Sequence, residues 1–129
     1  MDSVERLAES VVAGLERGDL SGARAAEDLA VVLAEALARE GLRARCEVPL
    51  RGGGRAELLV TADEASAPMV AVLPVQRGAT DALRGRVRRF AAYSEVAAVV
   101  VASPRSRHRA LVGEVRGVPV RVALLAEPS

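Results

Sequence analysis

CEVPLRGGGRAELLVTADEASAPMVAVLPVQR, residues Cys46 to Arg77, decides the fold. The pattern leading into it has a period of two. Leu42, Ala44, Cys46, Val48 and Leu50 alternate with Arg43, Arg45 and Glu47, as in a half-exposed strand where Cys46 serves as a small buried hydrophobe. Gly52-Gly53-Gly54 turns the chain, and Arg55 to Ala62 returns as a second strand. Leu58-Leu59-Val60 reads as burial on both sides. A glycine run cradles phosphate when a helix follows it; here a strand follows, so the run reads as a hairpin turn. Asp63 to Pro68 is a polar loop. Met69 to Gln76 is a third, nearly continuous apolar strand, with Pro74 expected at a bulge or strand end because it has no N–H to donate.

Two helices precede these strands. Val4, Leu7, Val11 and Leu15 recur at helical spacing after a capping Asp2-Ser3, and Gly18 ends that run. Ser21 caps a second helix, Gly22 to Glu40, striped by Leu29, Leu33 and Leu37 and stopped by Gly41. Downstream, Thr80 caps a helix from Asp81 to about Ser94, with Leu83, Val87 and Phe90 on one face; Gly85 weakens it by about 1 kcal/mol. Glu95 to Ser103 holds a fourth strand, AAVVVA, the most clearly buried one. Ser103-Pro104 opens a further helix over RSRHRALVGEV, Gly117 stops it, and Val118 to Leu125 is a fifth strand. The order α-α-β-β-β-α-β-α-β predicts an α/β (α+β) fold with a mixed central sheet of about five strands flanked by helices.

At 129 residues the chain fits one domain: residues 1–20 form an accessory N-terminal helix and residues 22–125 the core. Half the residues are hydrophobic, but Phe90 and Tyr93 are the only aromatics, so the core is Val, Leu and Ala, with those two closing a helix onto the sheet. All 18 basic residues are arginine, which excludes a lysine nucleophile or Schiff base. A single cysteine cannot form an internal disulfide. No basic segment leads into an apolar run at the N-terminus and no apolar run is long enough to span a bilayer, which reads as a soluble cytoplasmic protein without a membrane partner. The net charge of +1 is uneven. Residues 1–76 carry 8 Arg against 13 acids, whereas residues 77–109 carry 8 Arg against Asp81 and Glu95 alone. Such a basic stretch fits a polyanionic partner, DNA or RNA, and equally a solvated arginine-rich surface.

The layout and two of its segments, GGGRAELLV and AVLPVQRG, resemble the restriction-endonuclease-like superfamily, the PD-(D/E)xK nuclease fold, over about residues 22–125. The resemblance implies a helical Glu before the sheet, an Asp on the second strand, an acid-x-Lys triplet on the third, and an aromatic near the end of the next helix, as in RRFAAY. It places Glu57 in the Asp position, Pro74 in the acid position and Gln76 in the lysine position. Such enzymes hydrolyse phosphodiesters with carboxylate-held Mg²⁺ or Mn²⁺, while the lysine orients the attacking water. Glu for Asp keeps the ligand chemistry. Gln for Lys keeps a donor without its charge, and Pro for the acid removes a ligand, so a cation would depend on Glu57 with Glu47 and Glu27.

Glu57 reads equally well as an acid paired with Arg55 or Arg45, and Gln76 as a solvated strand end. His108, alone among arginines, reads as exposed. Arg84, Arg86, Arg88 and Arg89, with Arg105 and Arg107, are the candidate phosphate contacts. Three functions stay open. One is an inactive nuclease-fold module for nucleic-acid binding or assembly. The second is an active metal-dependent DNA or RNA nuclease with relocated ligands. The third is a protein–protein module such as a homodimer, using an exposed apolar surface such as the first helix, which is expected to pack on the domain or on a second copy.

Overall fold

The computed structural model describes residues 3–17, 26–61, 69–75 and 79–125. The Gly18 stop, the Ser21 cap, the Asp63 to Pro68 loop and Gln76 lie outside the described residues, as does the side chain of Glu27. Helix α1 spans Ser3–Arg17 and buries Leu7, Ala8, Val11 and Leu15, the stripe its spacing predicts. Helix α2, Ala26–Arg39, buries Leu29, Leu33 and Leu37 and ends at Gly41, where Leu42 N–H donates to Leu37 O at 3.1 Å. The strands are β1 Arg43–Pro49, β2 Arg55–Thr61, β3 Met69–Pro74, β4 Val96–Ser103, β5 Gly113–Val115 and β6 Val118–Leu124; helix α3, Thr80–Ala91, joins β3 to β4.

The result is one mixed sheet in the order β1-β2-β3-β4-β6-β5. β1, β2 and β3 form an antiparallel meander; β3, β4 and β6 run parallel; β5 turns back along β6. Parallel neighbours need crossovers, and the crossovers supply the cover. One face packs on α1 and α2 through Leu58, Val60, Val70, Val72, Ala98, Val100 and Ala102. The other packs on α3 through Leu59, Ala71, Leu73, Val99 and Val101.

Three expectations change. The sheet has six strands, not five, because the helix expected over RSRHRALVGEV is a 3-10 helix, Ser106–Leu111, followed by β5. Arg116 and Gly117 hold φ of 54° and 80°, so they form a two-residue hairpin turn with both centres left-handed, and Gly117 is the second of them rather than a helix stop. Arg-Gly is not among the usual sequences for this turn, and so the hairpin was hidden. Cys46 is exposed, because β1 is an edge strand and mostly uncovered. Helix α1 packs on the domain, one of the two placements expected for it: its buried side chains belong to the same cluster as α2 and the sheet, and its Glu16 carboxylate accepts from Leu124 N–H at 3.0 Å. Its buried apolar stripe is therefore spent on its own domain.

β1 also changes sides. Ala44 packs toward α2, whereas Val48 and Leu50 pack toward α3. Glu47 between them holds φ of 55°, which rotates the strand so that even-numbered residues before and after it serve opposite cores. Leu15→Ala should cost about 2–5 kcal/mol in urea unfolding, since the side chain is buried against the sheet. Gly117→Ala should cost about 1 kcal/mol through its left-handed backbone alone, with no change in the denaturant slope.

Candidate nucleic-acid interface

β2 pairs Leu58 with Val72 and Leu59 with Ala71, which sets Leu59 on β2 with Ala71 and Leu73 on β3 toward α3, and Ala56 belongs to the same α3-side core. Glu57 meets Arg86 of α3 there, Nη2 to Oε1 3.2 Å, with both side chains about two-fifths exposed. At that exposure the pair is worth at most about 1 kcal/mol, and it holds the carboxylate against a guanidinium. Glu47 pairs with Arg55 at 3.4 Å, further into solvent. Leu73 and Val75 both face α3, so Pro74 between them lies across the sheet from Glu57.

This arrangement does not fit the cation that the nuclease resemblance implies. Mg²⁺ asks for several oxygen ligands converging on one point. Among the described residues no three or more His, Cys, Asp or Glu side chains form such a group. Glu57 and Glu47 are each engaged by an arginine, and the position compared with the family's acid is a proline on the other face. Cys46 is no better a ligand: partial burial raises its thiol pKa above the ordinary value, and the charge of Glu47 raises it further, so the thiolate is disfavoured.

The arginines are arranged differently. Leu83, Val87 and Ala91 turn α3 onto the sheet, leaving Arg88 and Arg89 exposed and Arg84 and Arg86 half-buried at its flanks. The 3-10 helix packs against α3 and carries Arg105 and Arg107 to the same side of the sheet, both exposed, with Arg109. Arg84, Arg88, Arg89 and Arg105 make no ion pair among the described residues. The two clusters, separate in the chain, are thus brought to one side.

His108 is not exposed but fully buried, as is Ser103. Its Nδ1 lies 2.6 Å from Ser103 Oγ, which accepts from Arg105 N–H at 3.0 Å. With three residues per turn, a 3-10 helix stacks positions i and i+3, so His108 and Leu111 point inward while Arg107 and Arg109, on either side of His108, point out. Neither Ser103 Oγ nor the imidazole is open to a substrate, so the pair acts as a clamp between the end of β4 and the turn carrying Arg105 and Arg107.

Phe90 and Tyr93 also depart from expectation. They contact the α3-side core, but both are half-buried and line a surface cleft of ≈ 220 Å³ together with Gly54, Arg55, Glu57, Arg86 and Arg89. The Tyr93 hydroxyl lies over Gly54, where a Cβ would displace the tyrosine ring. Glu95 fixes the same turn by accepting Arg51 N–H on both carboxylate oxygens, at 3.1 and 3.0 Å.

His108→Ala should lower unfolding free energy by about 2–4 kcal/mol, through a cavity and an altered partner for Ser103. Glu57→Ala should change it by no more than about 1 kcal/mol. Millimolar Mg²⁺ or Mn²⁺ should leave the Tm of the wild-type protein unmoved, since an ion that binds only the folded state would raise it.

Among the described residues no helix is long and apolar enough to cross a membrane. No protein-family model, no curated protein and no solved structure matches this chain, so its chemistry rests on the residues described above.

Proposed function

We propose that this protein is a nucleic-acid-binding module with a nuclease-like layout and no metal-dependent cleavage of its own. The observation that carries the reading is the pooling of Arg84, Arg88 and Arg89 on α3 with Arg107 on the adjoining 3-10 helix and Arg105 just before it. Guanidinium groups hold phosphate oxygens bidentately and lose little hydration in doing so, which makes arginine the better residue for a phosphate track. Each phosphate neutralised releases condensed counterions, so affinity falls steeply with salt. Against catalysis stand the Glu57–Arg86 pair and the lack of a converging carboxylate group among the described residues. Against a homodimer built on α1 stands the burial of its apolar stripe in its own core.

Fluorescence anisotropy with labelled single-stranded and duplex DNA and RNA tests the reading. Low-micromolar binding that weakens with salt is expected. Arg84→Ala, Arg88→Ala and Arg105→Ala should each weaken it and reduce the salt slope by about 1, with no change in product size when Mg²⁺ is added. Absent or salt-insensitive binding refutes the proposal.

A further inference from the structure

The cleft at the end of α3 holds something the arginine face by itself does not explain. The chain has only two aromatic residues, and its cores are packed with Val, Leu and Ala. Both aromatics nevertheless stand half-buried in the wall of one basic cleft, ring centroids 6.3 Å apart. The lone carboxylate in that wall, Glu57, is held by Arg86, while Arg89 makes no ion pair among the described residues. Across the same Tyr93 and Arg89 lies a second, wider depression of ≈ 440 Å³, floored by Gly52 and reached by Arg51. The smaller cleft is below the usual size of a ligand site, about 300–1,000 Å³, but the two adjoin along a shared aromatic and a shared guanidinium.

We infer that this paired cleft is a subsite for one unpaired nucleotide, its phosphate between Arg89 and Arg55, the latter exchanging its exposed partner Glu47 for the phosphate, and its base against Tyr93. The inference rests on the nucleic-acid reading of the arginine face and specifies the form of polymer that face receives: a single strand or an open end. Three features support it. Arg89 belongs both to the exposed side of α3 and to the cleft, so a backbone tracked along α3 runs into it. Aromatic rings and guanidinium planes are the surfaces on which unpaired bases stack, and they accept any base. The glycine turn leaves the wider depression without side chains at Gly52, where a flat base can approach the backbone. A base inside an intact duplex cannot reach such a wall.

The test compares anisotropy of a labelled single strand and of its duplex on the full chain, together with an NMR titration of the wild-type protein with a mononucleotide. The single strand should bind more tightly than the duplex. Tyr93→Leu should weaken single-strand binding roughly five- to hundredfold, the range for losing one stacked base, and leave duplex binding unchanged. Tyr93→Phe, which keeps the ring, should retain the preference. Arg88→Ala, outside the cleft, should weaken both polymers alike. The mononucleotide should move amide signals of residues 52–55 and 89–94. If Tyr93→Leu fails to fold, Arg55→Ala takes its place, with the same selective loss expected. Equal binding of both polymers, an equal loss in Tyr93→Leu, or mononucleotide shifts confined elsewhere overturns the subsite and leaves the arginine face standing. Absence of salt-dependent binding to either polymer overturns both.

Discussion

From Val99 to Ser103, β4 is buried without interruption, with β3 and β6 parallel to it on either side. A strand in that position must have apolar cover above and below, and its parallel neighbours can be reached only through crossovers. α1 and α2 supply the cover on one face; α3 and the 3-10 helix, which are the crossovers, supply it on the other. The same constraint explains why α3 is amphipathic with so few apolar residues. Leu83, Val87 and Ala91 satisfy the sheet, and everything else on the helix is free to be arginine. The basic face is thus the outer side of the cover that β4 requires.

Charge then decides what that face can do. Arginine is the only cation the side chains offer apart from histidine, and it stays protonated wherever it is placed. Two of the arginines near the sheet edge engage the two carboxylates nearest to each other in the chain order of β1 and β2, Arg55 with Glu47 and Arg86 with Glu57. Each pair is exposed enough to add little stability. Their consequence is chemical: a carboxylate facing a guanidinium is a poor start for a divalent-cation site, whereas the arginines left over favour an anion. A clamp, not a catalytic pair, holds the second arginine cluster in place. Ser103 and His108 are both at zero exposure, and their contact ties the end of β4 to the turn from which Arg105 and Arg107 project.

Much of the fold was legible in the residues. The periods of α1, α2 and α3, the hairpin at the glycine run and the apolar run of β4 all correspond to elements seen, because local spacing and burial agree there. What was not legible depended on neighbours distant in the chain. Cys46 alternates as a buried residue should, but β1 is an edge strand and nothing covers it. His108 sits among arginines as an exposed residue would, but a 3-10 pitch turns it inward. Phe90 and Tyr93 read as core and instead wall a cleft, because the glycine turn from β1 to β2 arrives against them.

The amino-acid pattern alone determined that there would be a mixed sheet with helices on it, and that positive charge would gather between residues 77 and 109, since composition and periodicity are properties of the chain itself. Only the tertiary structure decided which face each charge would occupy. The register of β2 on β3 and the packing of α3 set Glu57 against Arg86, while alternation along β3 puts Pro74 on the far side. Sides of a sheet are fixed by pairing between segments, and that pairing is written in no single segment.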